Sequence, residues 1–183
     1  MDKESAYLLH NVVNRKTRDL INSLRDKDKI RILFVCLGNI CRSPAAQGVF
    51  QHVVDKNDCS DRFEIDSAGT GSYHIGDLPD RRMRIHASRR GYDLTHRARQ
   101  FKVSDFDHFD LIIPMDESNK MNLRSMARSV EDDAKILPMG KFITQFPNYD
   151  FVPDPYYEGS EGFELVLDLL ENSTENLFKC LMQ

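Results

Sequence analysis

Between residues 30 and 54 the chain changes character twice, and the changes dictate a strand, a tight loop and a helix in succession. Residues 30–35 form an apolar run with no alternation between Ile32 and Val35, the pattern of a strand buried on both faces. Ala45, Ala46, Val49, Phe50, Val53 and Val54 recur at the spacing of one apolar helix face. Between them lie Cys36, Leu37, Gly38, Asn39, Ile40, Cys41, Arg42, Ser43 and Pro44. Pro44 suits the first helical turn, where its missing N–H leaves no bond unmade, and Ser43 is the expected cap. Cys36 therefore falls where the strand ends and Arg42 close to where the helix begins.

A loop of this kind has a chemical use. Backbone N–H groups of a tight turn running into a helix N-terminus converge on one point and favour an anion there. Gly38 permits the turn where a side chain would be in the way. Arg42 supplies a planar donor fork that matches two oxygens of a phosphate. The same positive surroundings favour a Cys36 thiolate beneath a bound phosphorus atom. A thiolate attacking phosphorus, with the loop holding the transferred oxygens, is covalent phosphoryl-transfer catalysis. For Cys and Arg alone, a buried structural cysteine beside a solvated arginine is the favoured reading. Gly38, Asn39, the Ser43-Pro44 helix start and the preceding strand together outweigh it.

Cysteine followed six residues later by arginine and then serine resembles the signature of protein tyrosine phosphatases. The whole run 35–44 resembles the low-molecular-weight class of that family, and the resemblance extends from about residue 30 to the C-terminus. It implies a phosphotyrosine phosphatase I-like fold, with phosphate held by Arg42 and the amides of Leu37, Gly38, Asn39, Ile40, Cys41, Arg42 and Ser43. It further implies that Ser67 supports Asn39, and that His96 hydrogen-bonds Ser43, which aids departure of the thiolate. The class carries an aromatic residue, often Trp, at the place of Tyr73 as one wall of the substrate slot, so Tyr73 is a departure that bears on substrate preference. No metal or cofactor is implied, because the loop supplies the charge a metal would. For Cys41 two readings stand equal: a reversible disulfide with Cys36, a protection known in the family, or a small side chain packed under the loop.

Size and charge bound the remaining choices. A chain of 183 residues suits one domain with a sizeable core, and 40% apolar with 30% charged residues is ordinary for a soluble globular protein. A net charge of −4 argues against nucleic acid or any general polyanion as partner, so an anion site must be made locally. No uninterrupted apolar run approaches a membrane span and the first residues lack a signal-peptide block, so a cytoplasmic protein without integral membrane contact is expected. Cys36, Cys41, Cys59 and Cys180 form no paired CxxC units and too few ligands cluster for zinc. A reduced compartment suits a nucleophilic thiolate. Oligomeric state is left open.

Along the chain, residues 1–29 read as an N-terminal extension and 30–183 as the phosphatase-like domain. Leu9, Val13, Thr17, Leu20 and Leu24 fall at helical spacing, which suggests one amphipathic helix with a polar hinge at 26–29. A helix docked on its own domain or a partly disordered extension is the favoured reading, ahead of dimerisation, a partner or, through its basic residues, a membrane surface. Residues 63–67 read as a second strand ending in Ser67, followed by a glycine-rich stretch with Tyr73 and His74; His74 reads as a solvent-exposed loop histidine ahead of a specificity contact. Residues 80–90 read as a basic helix stopped at Gly91, whose arginines present a solvated face attractive to acidic peptides. Residues 109–114 read as a third strand, with Asp116 as a cap or a brace for the active-site side, and 134–137 as a short fourth strand. This alternation predicts an α/β fold with a four-stranded parallel sheet and helices on both faces.

Asp154 lies between Pro153 and Pro155 and is followed by Tyr156 and Tyr157. Asp-Pro alone is a turn. Beside the Cys36 loop, a carboxylic acid on a proline-stiffened loop suits a general acid for a leaving phenolate, and the tyrosines suit an aromatic wall opposite Tyr73. The function expected is hydrolysis of phosphotyrosine in proteins, and of small aryl phosphates, through a phosphocysteine, with inorganic phosphate as product. Arsenate reductases share the loop but need redox cysteines that the stretch between Cys59 and Cys180 lacks. Arginine phosphatases of this class typically place Thr where Ile40 stands. A phosphopeptide-binding module would have no use for Cys36, Arg42 and Asp154 together.

Overall fold

The central strand, β1 (Ile30–Cys36), divides the molecule into two cores. Ile30, Ile32, Phe34 and Cys36 enter one apolar cluster, and Leu33 and Val35 enter another on the opposite face, as successive side chains of a strand must. The computed structural model describes residues 14–182. Two strands pair with β1 in parallel: β2 (Phe63–Gly69), from Ile30↔Phe63 to Cys36↔Gly69, and β3 (Leu111–Pro114), from Ile32↔Leu111 to Val35↔Pro114. The sheet order is β2-β1-β3.

The expected fourth strand is reduced to one parallel bridge, Ile112↔Ile136, so the sheet has three strands rather than four. Residues 134–137 leave a short helix, α6 (Val130–Ala134), with Ile112 N–H donating to Lys135 O and Leu137 N–H to Ile112 O. Pro138 follows at once and has no N–H to continue the ladder.

One face of the sheet is covered by α2 (Arg42–Lys56) and α7 (Ser160–Met182), whose Val49, Phe50, Val166 and Leu170 are fully or almost fully buried. Phe50 meets Phe34 and Phe63 edge-on, with centroids 5.8 and 5.5 Å apart, the arrangement that ring quadrupoles favour. Against α7 packs α3 (Arg81–Arg89), burying Met83, His86 and Ala87. The opposite face carries α4 (Asp105–His108) and α5 (Glu117–Met126), which contribute Phe106 and Leu123.

The first described helix, α1 (Arg15–Arg25), is capped by Asn14, whose Oδ1 accepts from Thr17 N–H at 2.9 Å. Its Ile21 and Leu24 lie in the main core, and Arg25 Nη2 donates to Cys180 O at 2.8 Å. Leu9 and Val13 of the expected amphipathic helix lie outside the described residues. Among those described, no helix is long and apolar enough to cross a membrane.

Because the Ile21 side chain is fully buried, Ile21→Ala should destabilise the protein by about 2–4 kcal/mol through lost transfer energy and a residual cavity. Urea unfolding measures this, and a loss below about 0.5 kcal/mol, the scale of an uninvolved surface substitution, would exclude α1 from the cooperative fold.

Candidate active site

The chain places β2 on one side of β1 and later β3 on the other. Such a reversal opens a crevice at the carboxyl ends of parallel strands, and Cys36 is the last residue of β1. The loop that follows turns its carbonyls onto neighbouring segments: Cys36 O accepts from Thr70 N–H at 2.9 Å, Leu37 O from Gly71 N–H at 2.9 Å, and Ile40 O from Asp80 N–H at 2.7 Å. The N–H groups of residues 37–41 donate to no backbone carbonyl among the described residues. N–H groups left without backbone acceptors at a helix start are the arrangement that suits an anion. A Cβ at residue 69 would stand 2.7 Å from Leu37 O, which is why the β2 terminus beside the loop is glycine.

Gly38 provides the room expected of it, since a Cβ there would lie 3.1 Å from His74 Cδ2, while the left-handed backbone of the loop falls at Asn39, at φ +56°. One local expectation is corrected, because Ser43 does not cap the helix: α2 begins at Arg42, and Cys41, at the cap position, makes no side-chain cap bond. The Ser43 hydroxyl is turned under the loop to the Cys36 sulfur instead, with Sγ and Oγ 3.0 Å apart.

Asn39 is buried and saturates its amide. Its Nδ2 donates to Ser43 Oγ and Ser67 Oγ, both at 2.9 Å, and its Oδ1 accepts from His96 Nε2 at 3.0 Å and Arg99 N–H at 2.9 Å. Ser67 passes its own proton to Gln47 Oε1 at 2.7 Å. Ser67 thus meets Asn39, as the resemblance implied. His96 does not meet Ser43, because the Asn39 amide stands between them. With one lone pair of Ser43 Oγ taken by Asn39, its O–H faces two acceptors, the Cys36 sulfur at 3.0 Å and Ala68 O at 3.4 Å, of which the sulfur is the nearer.

The two loop cysteines differ. Burial pushes the Cys41 thiol far up, and the charges of Asp80, Cys36 and Asp154 add to the shift, so it stays protonated. Only the Cys36 sulfur has the hydroxyl donor.

Arg42 is almost entirely buried. Its Nη1 donates to Asp116 Oδ2 at 2.5 Å and to Val152 O at 3.3 Å, and its Nη2 to Asp154 Oδ2 at 3.1 Å. Burial works against the guanidinium charge, but Cys36, the bond to Asp116 and the Asp154 charge outweigh it and hold the arginine more firmly protonated than usual. Asp116 is both the N-cap of α5, accepting from Asn119 N–H at 2.8 Å, and the partner of Arg42. The sequence suggested either role; its position just past the end of β3, on the ligand edge of the sheet, was the signal for both.

Cys36, Leu37, Gly38, Ile40, Cys41, Arg42, Tyr73, His74, Asp154, Tyr156 and Tyr157 line one cleft of about 350 Å³. The site residues expected from sequence converge there or directly beneath, in Asn39, Ser43, Ser67 and His96. Tyr73 and Tyr157 stand exposed at the rim and Tyr156 lies lower. His74, expected free in solvent, is a wall residue held 3.2 Å from Asp77 Oδ2. Arg82 was read only as surface charge; it lies over the Tyr156 and Phe163 rings, 5.4 and 4.8 Å from their centroids, and ties α3 to the Asp154 loop.

Burial, aided by Arg99 and opposed by Asp66, lowers the affinity of His96 for a proton below its ordinary value of 6.5. The unfolded chain therefore takes up a proton that the fold refuses, and stability falls as pH drops below about 6.5 toward the lower folded value. Urea midpoints measured at pH 7.5 and 5.5 should show a smaller loss for His96→Gln, which keeps a donor to Asn39, than for the parent protein.

The model of the low molecular weight phosphotyrosine protein phosphatase family matches residues 31–183. A Synechocystis protein provisionally named as a low molecular weight protein-tyrosine-phosphatase is 45% identical over 152 residues, covering 83% of this chain and 96% of that one. The low molecular weight phosphotyrosine protein phosphatase of Schizosaccharomyces pombe is 40% identical over 153 residues, covering 83% and 97%. A crystal structure of a protein tyrosine phosphatase from Entamoeba histolytica superposes with a TM-score of 0.79 at 43% identity, covering 82% of this chain and 95% of that one. With a strand-loop-helix anion receptor at its centre and these relatives across most of its length, the chain belongs to the low molecular weight phosphotyrosine protein phosphatase family.

Proposed function

We propose that the chain hydrolyses phosphotyrosine in proteins, and small aryl phosphates, by two displacements at Cys36. The observation that carries this reading is the loop itself: N–H groups of residues 37–41 without backbone acceptors, a buried Arg42, and the Cys36 sulfur at their centre with a hydroxyl donor 3.0 Å away. Donors fixed in advance around developing charge are the strongest single means of lowering such a barrier.

In the first displacement the Cys36 thiolate attacks phosphorus, the bond from phosphorus to the aryl oxygen breaks, and Asp154 gives its proton to the departing phenolate. Arg42 and the loop amides through Ser43 hold the three phosphoryl oxygens. In the second, Asp154 takes a proton from water as that water attacks phosphorus. The bond from sulfur to phosphorus breaks, the Ser43 hydroxyl supports the returning thiolate, and inorganic phosphate leaves. Asn39, Ser67 and His96 hold the loop in shape and touch no reacting atom.

Substrate choice follows from the depth of the cleft. Tyr73, Tyr156 and Tyr157 at its mouth accept a flat aryl group, and a long aryl ester reaches Cys36 where a serine ester falls short. Cys41 is assigned as the resolving thiol. Once peroxide has converted Cys36 to a sulfenic acid, Cys41, held protonated by its burial, attacks as its proton passes to the departing hydroxide; water leaves and the disulfide that forms suspends activity until it is reduced.

Cys36→Ser should abolish turnover of p-nitrophenyl phosphate and of phosphotyrosyl peptides, and undiminished turnover would overturn the assignment. Asp154→Ala should slow aryl phosphate turnover roughly a hundredfold, the usual scale of a lost general acid. Unchanged rates would remove Asp154 from that role. Phosphoarginine, tested beside phosphotyrosine, should be the poorer substrate.

A further inference from the structure

We propose that the exposed face of α3 is a docking groove for acidic residues flanking the phosphotyrosine of a protein substrate. The inference rests on the phosphatase reading above and adds to it a class of substrate sequence.

The helix has two faces of opposite character. Met83, His86 and Ala87 are buried against the domain, while Arg81, Ile85, Ser88 and Arg89 are exposed. The exposed residues, with Leu78, Arg84 and the segment 93–95, line a groove of about 580 Å³. Positions 81, 84–85 and 88–89 form one helical stripe, and Leu78 precedes the helix.

Charge decides what this groove suits. The helix carries four arginines and is followed by Arg90 at its C-cap, and two of these five are already engaged. Arg82 is bound to Asp80, and Arg90 to Glu164 and Asp168. Neither Arg81 nor Arg89 forms an ion pair among the described residues, and Arg84 makes only a bond from Nε to Pro79 O at 2.9 Å. The groove thus presents three guanidiniums and one carboxylate, Asp93, in a chain whose net charge is −4. Leu78 and Ile85, 39% and 40% exposed, form an apolar strip between the charges that a single apolar side chain of the same segment can cover.

Position ties the groove to the reaction. Asp80, the cap of α3, donates its N–H to Ile40 O of the phosphate loop at 2.7 Å. Tyr73 and His74, on the stretch leading to Leu78, are walls of the catalytic cleft. A peptide leaving the cleft past Leu78 therefore meets Arg81 first. The distance along the helix from Arg81 to Arg89 is about 12 Å, which about four extended residues span.

The test uses the full chain and phosphotyrosyl peptides that differ only in carrying four Glu or four Gln two residues from the phosphotyrosine, on its N-terminal or C-terminal side. At least one Glu peptide should exceed its Gln counterpart in kcat/KM by about tenfold at low salt, and the preference should shrink as salt screens it. R81E/R89E should erase the preference, measured as a ratio to p-nitrophenyl phosphate turnover, while R81K/R89K keeps it. Equal rates for Glu and Gln peptides in the parent protein, or a preference that survives R81E/R89E, would overturn the groove. Turnover of p-nitrophenyl phosphate separates the two readings: with it, a missing preference sinks the groove alone, and without it the phosphatase reading fails first.

Discussion

Asn39 is the constraint on which the site depends. A left-handed backbone costs a non-glycine residue on the order of 1–2 kcal/mol, and it persists here because all four hydrogen-bonding capacities of the buried amide are met, from Ser43, Ser67, His96 and Arg99. The four partners come from three parts of the chain: the start of α2, the end of β2, and the 96–99 segment. The loop's shape is therefore set by the assembled fold and not by its own local preferences. The carbonyls follow the same plan. They bond outward to Thr70, Gly71 and Asp80, which leaves the amides for a ligand.

Arg42 is the second tie. A guanidinium this buried would be costly alone, and Asp116 and Asp154 offset that cost from two sides. The two carboxylates are not equivalent. Asp116 is 23% exposed and belongs to a helix start, whereas Asp154 is 43% exposed on a loop between two prolines. The carboxylate proposed as the acid is thus the one that meets solvent, and Asp116 lies beneath it.

Much of this was legible in the sequence because strand, loop and helix are contiguous there. The buried run of β1, the apolar face of α2 and the residues between them place Cys36 and Arg42 at one strand end without any long-range information. The same holds for Asp154, whose proline neighbours mark a rigid loop. What eluded sequence reading depends on contacts across the fold. Ser43 before Pro44 reads as a cap, and only the nearness of the Cys36 sulfur reveals its other use. His96 lies 57 residues from Asn39 along the chain, and only the assembled fold puts the Asn39 amide between it and Ser43. Residues 134–137 have strand-like composition, but the helix before them and the proline after leave room for one bridge. Arg82 and Arg90 look like surface charge until the rings and carboxylates of other elements stand against them.

One carboxylate, that of Asp116, starts α5 with one oxygen and anchors Arg42, itself the first residue of α2, with the other. Asparagine at that position would preserve the cap but lose the ionic tie. Glutamate would preserve the charge but reach too far for the cap. Aspartate alone satisfies both demands, so the position admits no conservative replacement, and drift there would loosen two helices at the moment it weakened the phosphate clamp.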